Sequence, residues 1–270
     1  MNESAPTIVD IGLNLTHKSF WADLPGVVAR GREAGVRQMV LTGTTVESSR
    51  EALELARSYS GAMFSTAGIH PHHASNFEPG SLTALKDLAA EPQVAAIGEC
   101  GLDFYRNFSP RSAQQECLRE QLGLAVELGL PVFLHERDAH VSFVAILREA
   151  VANLKAAVVH CFTGSRRALE AYLYLGCFIG ITGWVCDERR GGKLRELVPS
   201  IPLDRLMIET DAPYLLPRDL KPKPKTTRNE PCHLAHIGRA VADIRGIPYE
   251  DLAAATTENA RRFFGLPAVD

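Results

Sequence analysis

Apolar and polar positions along this chain fall into two alternating rhythms. Short apolar runs of strand length are separated by longer stretches in which apolar residues recur every three to four positions, as on one face of a helix. The runs are Thr7–Ile11, Gln38–Thr42, Ala62–Ile69, Val94–Ile97, Pro131–Leu134, Ala156–Val159, Cys177–Ile181 and Leu206–Ile208. Among the periodic stretches, one is opened by Asp23 and Pro25 and stops at Ala34-Gly35. The next is capped by Thr44 or Thr45, with Ala52, Leu53, Leu55, Ala56 and Tyr59 on its apolar side. Others cover Ser81–Ala90 and the long segment from Ser109-Pro110 to Leu128, a cap and first-turn proline at one end and Gly129 at the other. Further helices run through Val144, Leu147 and Val151, from Ser165 to Leu175-Gly176, and toward Leu197. After the last run come a proline-rich basic loop, a helix from about Pro231 to Ile244, and a short helix around Glu258–Phe264.

Strict alternation of strand and helix predicts a parallel α/β sheet. Eight such units are the number that closes a (β/α)8 TIM barrel, with its active site at the C-terminal ends of the strands. An open doubly wound sheet is the alternative, but no GxGxxG follows the first run. With no linker or low-complexity tract, residues 1–270 are read as one domain.

Composition narrows the function classes. The chain is 46% hydrophobic and 23% charged, enough to bury a core, and its net charge of −3 provides no global basic field. A polyanionic substrate must then be held by local positive charge or by metal. The six cysteines form no CxxC pair and several lie in apolar runs, which points to reduced thiols and a cytoplasmic setting. Met1–Pro6 is polar, unlike a signal peptide. No apolar run approaches the roughly 20 residues of a membrane helix. No protein partner is evident, and a monomer is the default.

The chemistry collects at the strand ends. The fourth run stops at Gly98-Glu99-Cys100-Gly101-Leu102-Asp103, so Glu99 is placed where a buried strand breaks at glycine. Alone it reads equally as half of a buried ion pair, with Arg106 for example. The other strand ends change this. They carry Asp10, His70-Pro71-His72-His73, His135, His160 and Glu209-Thr210-Asp211. A single histidine or aspartate there has an ordinary structural account, but a barrel converges all these ends on one pocket. Glu99, His135, His160 and Asp211 together are a standard set for Zn²⁺, Mn²⁺ or a similar divalent ion.

Five ordered motifs then resemble the TatD family of metal-dependent deoxyribonucleases, of the amidohydrolase-like barrels, over nearly the whole chain. They are Ile69-His70-Pro71-His72, Gly98–Asp103, His135-Glu136-Arg137-Asp138-Ala139, His160-Cys161-Phe162-Thr163-Gly164 and Glu209-Thr210-Asp211-Ala212-Pro213-Tyr214-Leu215. The stretch Gly180–Arg190 narrows the resemblance to the family's bacterial branch. The resemblance implies Glu99, His135, His160 and Asp211 as metal ligands. Two departures are visible. Gly12 and Asn14 stand where most of the superfamily has a His-x-His, which implies one tight ion and a second held weakly or only alongside substrate phosphate. Glu136 stands where a cysteine is common and adds negative charge beside His135.

The implied reaction is phosphodiester hydrolysis by a 3′-to-5′ exonuclease acting on single-stranded DNA or RNA, in DNA repair or degradation, with Mg²⁺, Mn²⁺ or Zn²⁺. Asp211 is the candidate general base, with ligand alone as its other role, and Glu99 the candidate bridge between ions. His70, His72, Arg137 and Asn14 are candidate substrate contacts; Lys223 and Arg228 of the basic loop would track a strand's backbone. Trp184, with Phe104, Tyr105 and Phe108, would stack on bases. Glu209 and Asp103 are read as residues that orient the ligands. The alternatives are a metal-dependent ester or amide hydrolase, such as an aminoacyl-tRNA deacylase, and a non-catalytic metal or nucleic-acid binding module.

Overall fold

Each apolar run becomes a strand because helices cover it, and the helices end where caps and glycines stop them. The computed structural model describes residues 5–269; the reading of the polar N-terminus falls largely on residues 1–4, outside the described residues. In chain order the elements are β1 (Ile8–Leu13), α1 (Leu24–Glu33), β2 (Val36–Leu41), α2 (Val46–Ser58), β3 (Met63–Ala67), α3 (Pro79–Ala89) and β4 (Val94–Asp103). Then follow α4 (Arg111–Leu128), β5 (Val132–Arg137), α5 (His140–Ala150), β6 (Ala157–Val159), α6 (Arg166–Tyr174) and β7 (Phe178–Ile181). Last come α7 (Gly192–Leu197), β8 (Leu206–Ile208), α8 (Leu234–Arg245) and α9 (Tyr249–Phe264).

The strands follow one another in sheet order from β1 to β8. Pairing is parallel at β3–β4, β4–β5, β5–β6 and β7–β8. This is the (β/α)8 barrel. Strands β1, β3 and β4 are buried at every position, as expected of strands covered on both faces. The described residues pack as two compact units, Leu41–Phe178 and the remainder, 5–40 with 179–269. In the latter, the loops after β1 and β8 are joined by backbone bonds from Asn14 N–H to Ala212 O and from Asp211 N–H to Gly12 O. All six cysteines are free, and among the described residues no helix is long and apolar enough to cross a membrane.

Local chemistry explains both the agreements and the differences. Thr45 caps α2 reciprocally with Ser48, Ser165 caps α6, and Gly129 ends α4 in the left-handed conformation. Asp23 makes no side-chain cap for α1; its carboxylate is taken by Arg30 and Arg228. Pro110, not Ser109, flanks α4, because the Ser109 hydroxyl binds the loop after β3. The last helix is much longer than expected. Its Ala- and Thr-rich first half buries Leu252, Ala253, Thr256 and Thr257. Most consequential is β4, which does not break at Gly98 but continues to Asp103.

Candidate active site

Strand β4 positions Glu99 by a bulge. Its register with β5 runs Gly98 to Phe133 and then Cys100 to Leu134, leaving Glu99 as an extra residue. Bulges re-aim side chains in this way. The Glu99 N–H turns to Gly43 O, at 2.7 Å. The flanking glycines allow β5 to come close. Gly98 and Gly101 have φ of 138° and 153°, and a Cβ on either would overlap the carbonyl oxygen of Phe133 or His135. The glycines therefore serve close backbone approach, which is why they do not end the strand.

Three imidazoles meet one oxygen of that carboxylate. Glu99 Oε1 lies 2.8 Å from His160 Nε2, 3.0 Å from His135 Nδ1 and 3.2 Å from His70 Nε2. Glu99 is 7% exposed, so the ion pair once open to Arg106 is replaced by a histidine cluster. Burial alone would raise the Glu99 carboxyl, but the charges of His70 and His160 and hydrogen bonds from His135 and His160 hold it well below its ordinary range. Burial pushes His70 down to about 4 against the pull of Glu99. His135 is also opposed by burial, yet the neighbouring carboxylates of Asp103 and Glu99 prevail and raise it.

The arrangement fits a divalent cation. A carboxylate oxygen has two lone pairs, and here three ring nitrogens compete for them. His135 Nε2 is buried without a hydrogen-bond partner, with Asp103 Oδ2 at 3.5 Å. Imidazole nitrogens with a carboxylate are donors suited to Zn²⁺, Mn²⁺ and related ions. Single donor atoms of His70, Glu99 and His135 all lie within 4.8 Å of one another. The tautomer of His70 separates it from the others. Its Nδ1 accepts the His72 backbone N–H at 3.0 Å, so the neutral ring carries its proton on Nε2 and donates toward Glu99. A protonated nitrogen cannot bind a cation, so the ligand candidates in this unit are Glu99, His135 and His160.

Buried polar groups that the sequence reading passed over support the cluster. Helix α4 turns Gln114 and Gln121, two turns apart, toward the barrel among Cys117, Leu118 and Leu122. Gln121 accepts the Ile69 N–H and donates to Ile69 O, holding the residue before His70. Gln114 binds the Asp103 N–H and carbonyl in the same way. The signal was present: two glutamines on an apolar helix face require partners. Asp103 accepts His72 Nε2 at 2.8 Å and the N–H groups of Tyr105 and Arg106. The nearby imidazole of His135 together with these bonds overcomes burial and depresses its carboxyl. Arg137 is exposed and lies 4.0 Å over the Tyr105 ring. Glu136 points to the other face of β5, to Tyr172 Oη and the Ala139 N–H, so it contacts these groups and not His135.

The other unit holds the remaining expected residues. Asp211 has φ 55°, and Asn14 Nδ2 lies 3.5 Å from its Oδ1. Asp10, which had been given no role, accepts the Thr210 N–H and hydroxyl at 2.9 and 2.6 Å. It thereby holds the backbone beside Asp211. Burial pushes the Asp10 carboxyl up to about 7 despite those bonds. Glu209 is fully buried. Trp184 lies under Arg190 at 4.7 Å and lines a cavity of about 630 Å³ with Arg189, Arg218, Lys223 and Lys225. Arg228, expected along a strand's backbone, is instead turned inward. It binds Asp23, Glu230 and Ser19 O, because two carboxylates beside it outcompete solvent.

These groups predict acid lability in the metal-free protein. Between about pH 6.5 and 4 the unfolded chain protonates at the position of His70 while the folded ring stays neutral, so stability falls with pH. The depressed carboxyls of Glu99 and Asp103 contribute stability in full above their ordinary range, and it is lost as pH falls through their folded values. His135, raised, has its full contribution below 6.5 and loses it only as pH rises through its folded value. Asp10, raised to about 7, acts in the opposite direction over the same range, so the urea midpoint of metal-free Asp10→Asn protein is the one expected to drop from about pH 6.5 to about pH 4.5; a flat or rising midpoint in that variant contradicts the cluster's electrostatics.

A (β/α)8 barrel with imidazoles gathered on a buried carboxylate of a central strand is a hydrolase barrel carrying a candidate divalent-cation group. The chain belongs to the TatD-related DNase family, whose model matches residues 9–265. A 3′-5′ ssDNA/RNA exonuclease TatD of Erwinia tasmaniensis is 56% identical over 257 residues, covering 95% of this chain and 99% of the relative. The protein of that name from Klebsiella pneumoniae is also 56% identical, with 95% and 97% covered. Among solved structures, the TatD homolog YJJV of Escherichia coli superposes with a TM-score of 0.88 at 28% identity, covering 96% of this chain and 98% of that one.

Proposed function

We propose that this protein is a divalent-cation-dependent nuclease that hydrolyses phosphodiester bonds from the 3′ end of single-stranded DNA or RNA. The observation that carries the reading is the convergence of His70, His135 and His160 on Glu99 Oε1, within 2.8 to 3.2 Å. The substrate comes from the relatives named as 3′-5′ ssDNA/RNA exonucleases. Nothing favours the ester or amide hydrolase, and the nuclease is the reading that family and relatives support.

Glu99, His135 and His160 would hold one firm ion. When bound, it polarises a phosphate oxygen and lowers the pKa of water. With Glu99 engaged by the ion, the Nε2 proton of His70 would be free to turn from Glu99 to a phosphate oxygen, and Arg137 offers a charged fork beside it. His72, fixed by Asp103, lies edge-on to His70, with ring centroids 4.2 Å apart, and is kept as a substrate contact. Asp211 is assigned the proton of the attacking water, with Asn14 orienting its carboxylate. Lys223 and the neighbouring basic side chains counter backbone charge while Trp184 stacks a base.

The test uses metal-loaded protein, single-stranded DNA labelled at either end, and an aminoacyl ester. The expected result is stepwise shortening from the 3′ end and no ester cleavage. Asp211→Asn should lower the rate by about 10²- to 10⁴-fold, the usual worth of a general base. Ester cleavage with intact DNA would overturn the nuclease reading, and full activity in Asp211→Asn would remove the base assignment.

A further inference from the structure

We propose that Cys186, Asp219 and His236 form a second cation site, for a thiophilic divalent ion of the Zn²⁺ kind, that ties down the root of the basic loop. The site goes beyond the nuclease reading and shares no residue with it. Cys186 ends a 3-10 turn after β7, Gly183–Cys186. Asp219 lies in the loop after β8, and His236 lies in the first turn of α8. One donor atom from each of the three falls within 4.8 Å of the others. His236 Nε2 is 2.7 Å from Asp219 Oδ1, and Cys186 is fully buried beside them.

One thiol, one carboxylate and one imidazole are a mixed donor set that zinc accepts and that leaves a position for water. Access comes from a cavity of about 570 Å³, lined in part by Cys186, Arg218, Asp219 and Lys223. Asp219 and His236 keep side-chain exposures of 29% and 34%, so the mouth of the site is open. Without a cation, burial and the Asp219 carboxylate push the Cys186 thiol up to about 12, which rules it out as a nucleophile at neutral pH. On binding, Cys186 Sγ–H gives its proton to solvent and the thiolate and carboxylate share the charge of the ion.

The consequence concerns the loop. Arg218 and Lys223 line this cavity and also the larger one that contains Trp184. Fixing Asp219 to the turn and to α8 thus fixes two cationic walls of the proposed nucleic-acid groove. The competing account is an Asp219–His236 hydrogen bond with a thiol packed beside it and no metal at all.

Cobalt substitution separates the two. The Glu99 cluster has no sulfur donor, so a thiolate-to-Co²⁺ charge-transfer band in the near ultraviolet reports on Cys186. Full-length protein titrated with Co²⁺ and then Zn²⁺ should show that band and bind one equivalent more than Cys186→Ser, in which the band is lost. His236→Ala, a partly exposed position, should lose the same equivalent and serves if Cys186→Ser does not fold; circular dichroism checks both. Glu99→Gln should keep the band, so loss of the catalytic ion cannot imitate loss of this one. A wild type without the band, a band retained in Cys186→Ser, or equal stoichiometry in His236→Ala would overturn the site.

Discussion

Replacing Glu99 by Gln is expected to abolish firm cation binding at the histidine cluster and to lower kcat/KM on single-stranded DNA by about 10³-fold or more. The change is nearly isosteric, so the bulge in β4 and the glycines beside it remain. What goes is the negative charge on which His70, His135 and His160 converge. The amide offers one neutral oxygen to three ring nitrogens and adds an NH₂ that has to face N–H donors. Leaving partners of a buried charge network uncompensated costs about 3–5 kcal/mol in general. The protein should therefore also melt earlier, and His135 should lose one of the bonds that raise it. Calorimetric titration with Mn²⁺ and the end-labelled assay check both effects. Activity within tenfold of wild type would mean that Glu99 is not the acidic centre.

Gly101→Ala is the second large effect, and it acts through the backbone. At φ 153° a Cβ would sit on the carbonyl oxygen of His135. The strained backbone costs about 1–3 kcal/mol and the overlap about the same again. A loss of about 4 kcal/mol is expected, a large part of the stability of an ordinary domain. Relief requires β5 to move away from β4, and His135 moves with it, so cation affinity should fall as well. Urea unfolding measures the first quantity and titration the second. A midpoint unchanged by Gly101→Ala would show that β5 does not approach as closely as described.

Much of the barrel was legible because each strand is a short, doubly buried run and each helix a periodic one. Alternation needs no tertiary information. Glu99, His135 and His160 were visible for the same reason: a polar residue that ends an apolar run is conspicuous. The bulge at Glu99 was not, since Gly98 and Gly101 look the same in sequence whether they stop a strand or make room for its neighbour. Gln114 and Gln121 were hidden in a helix whose apolar stripe absorbed them, and only their partners at Ile69 and Asp103 show their purpose. Arg228 misled because a run of basic residues says nothing about which of them meets Asp23 and Glu230. The role of His70 depended on one backbone N–H, from His72, that no spacing reveals.

That bond leads to the most direct test. Metal titration of His160→Ala and His70→Ala, each paired with the exonuclease assay, asks whether the cluster on Glu99 is a cation centre with a neutral His70, its proton on Nε2, at the edge. His160→Ala should lose the firm ion and activity together. His70→Ala should keep the ion, with affinity within about tenfold of wild type, and still lose about 10²-fold in rate as a missing phosphate donor. Firm binding in His160→Ala, or its loss in His70→Ala, would contradict the account.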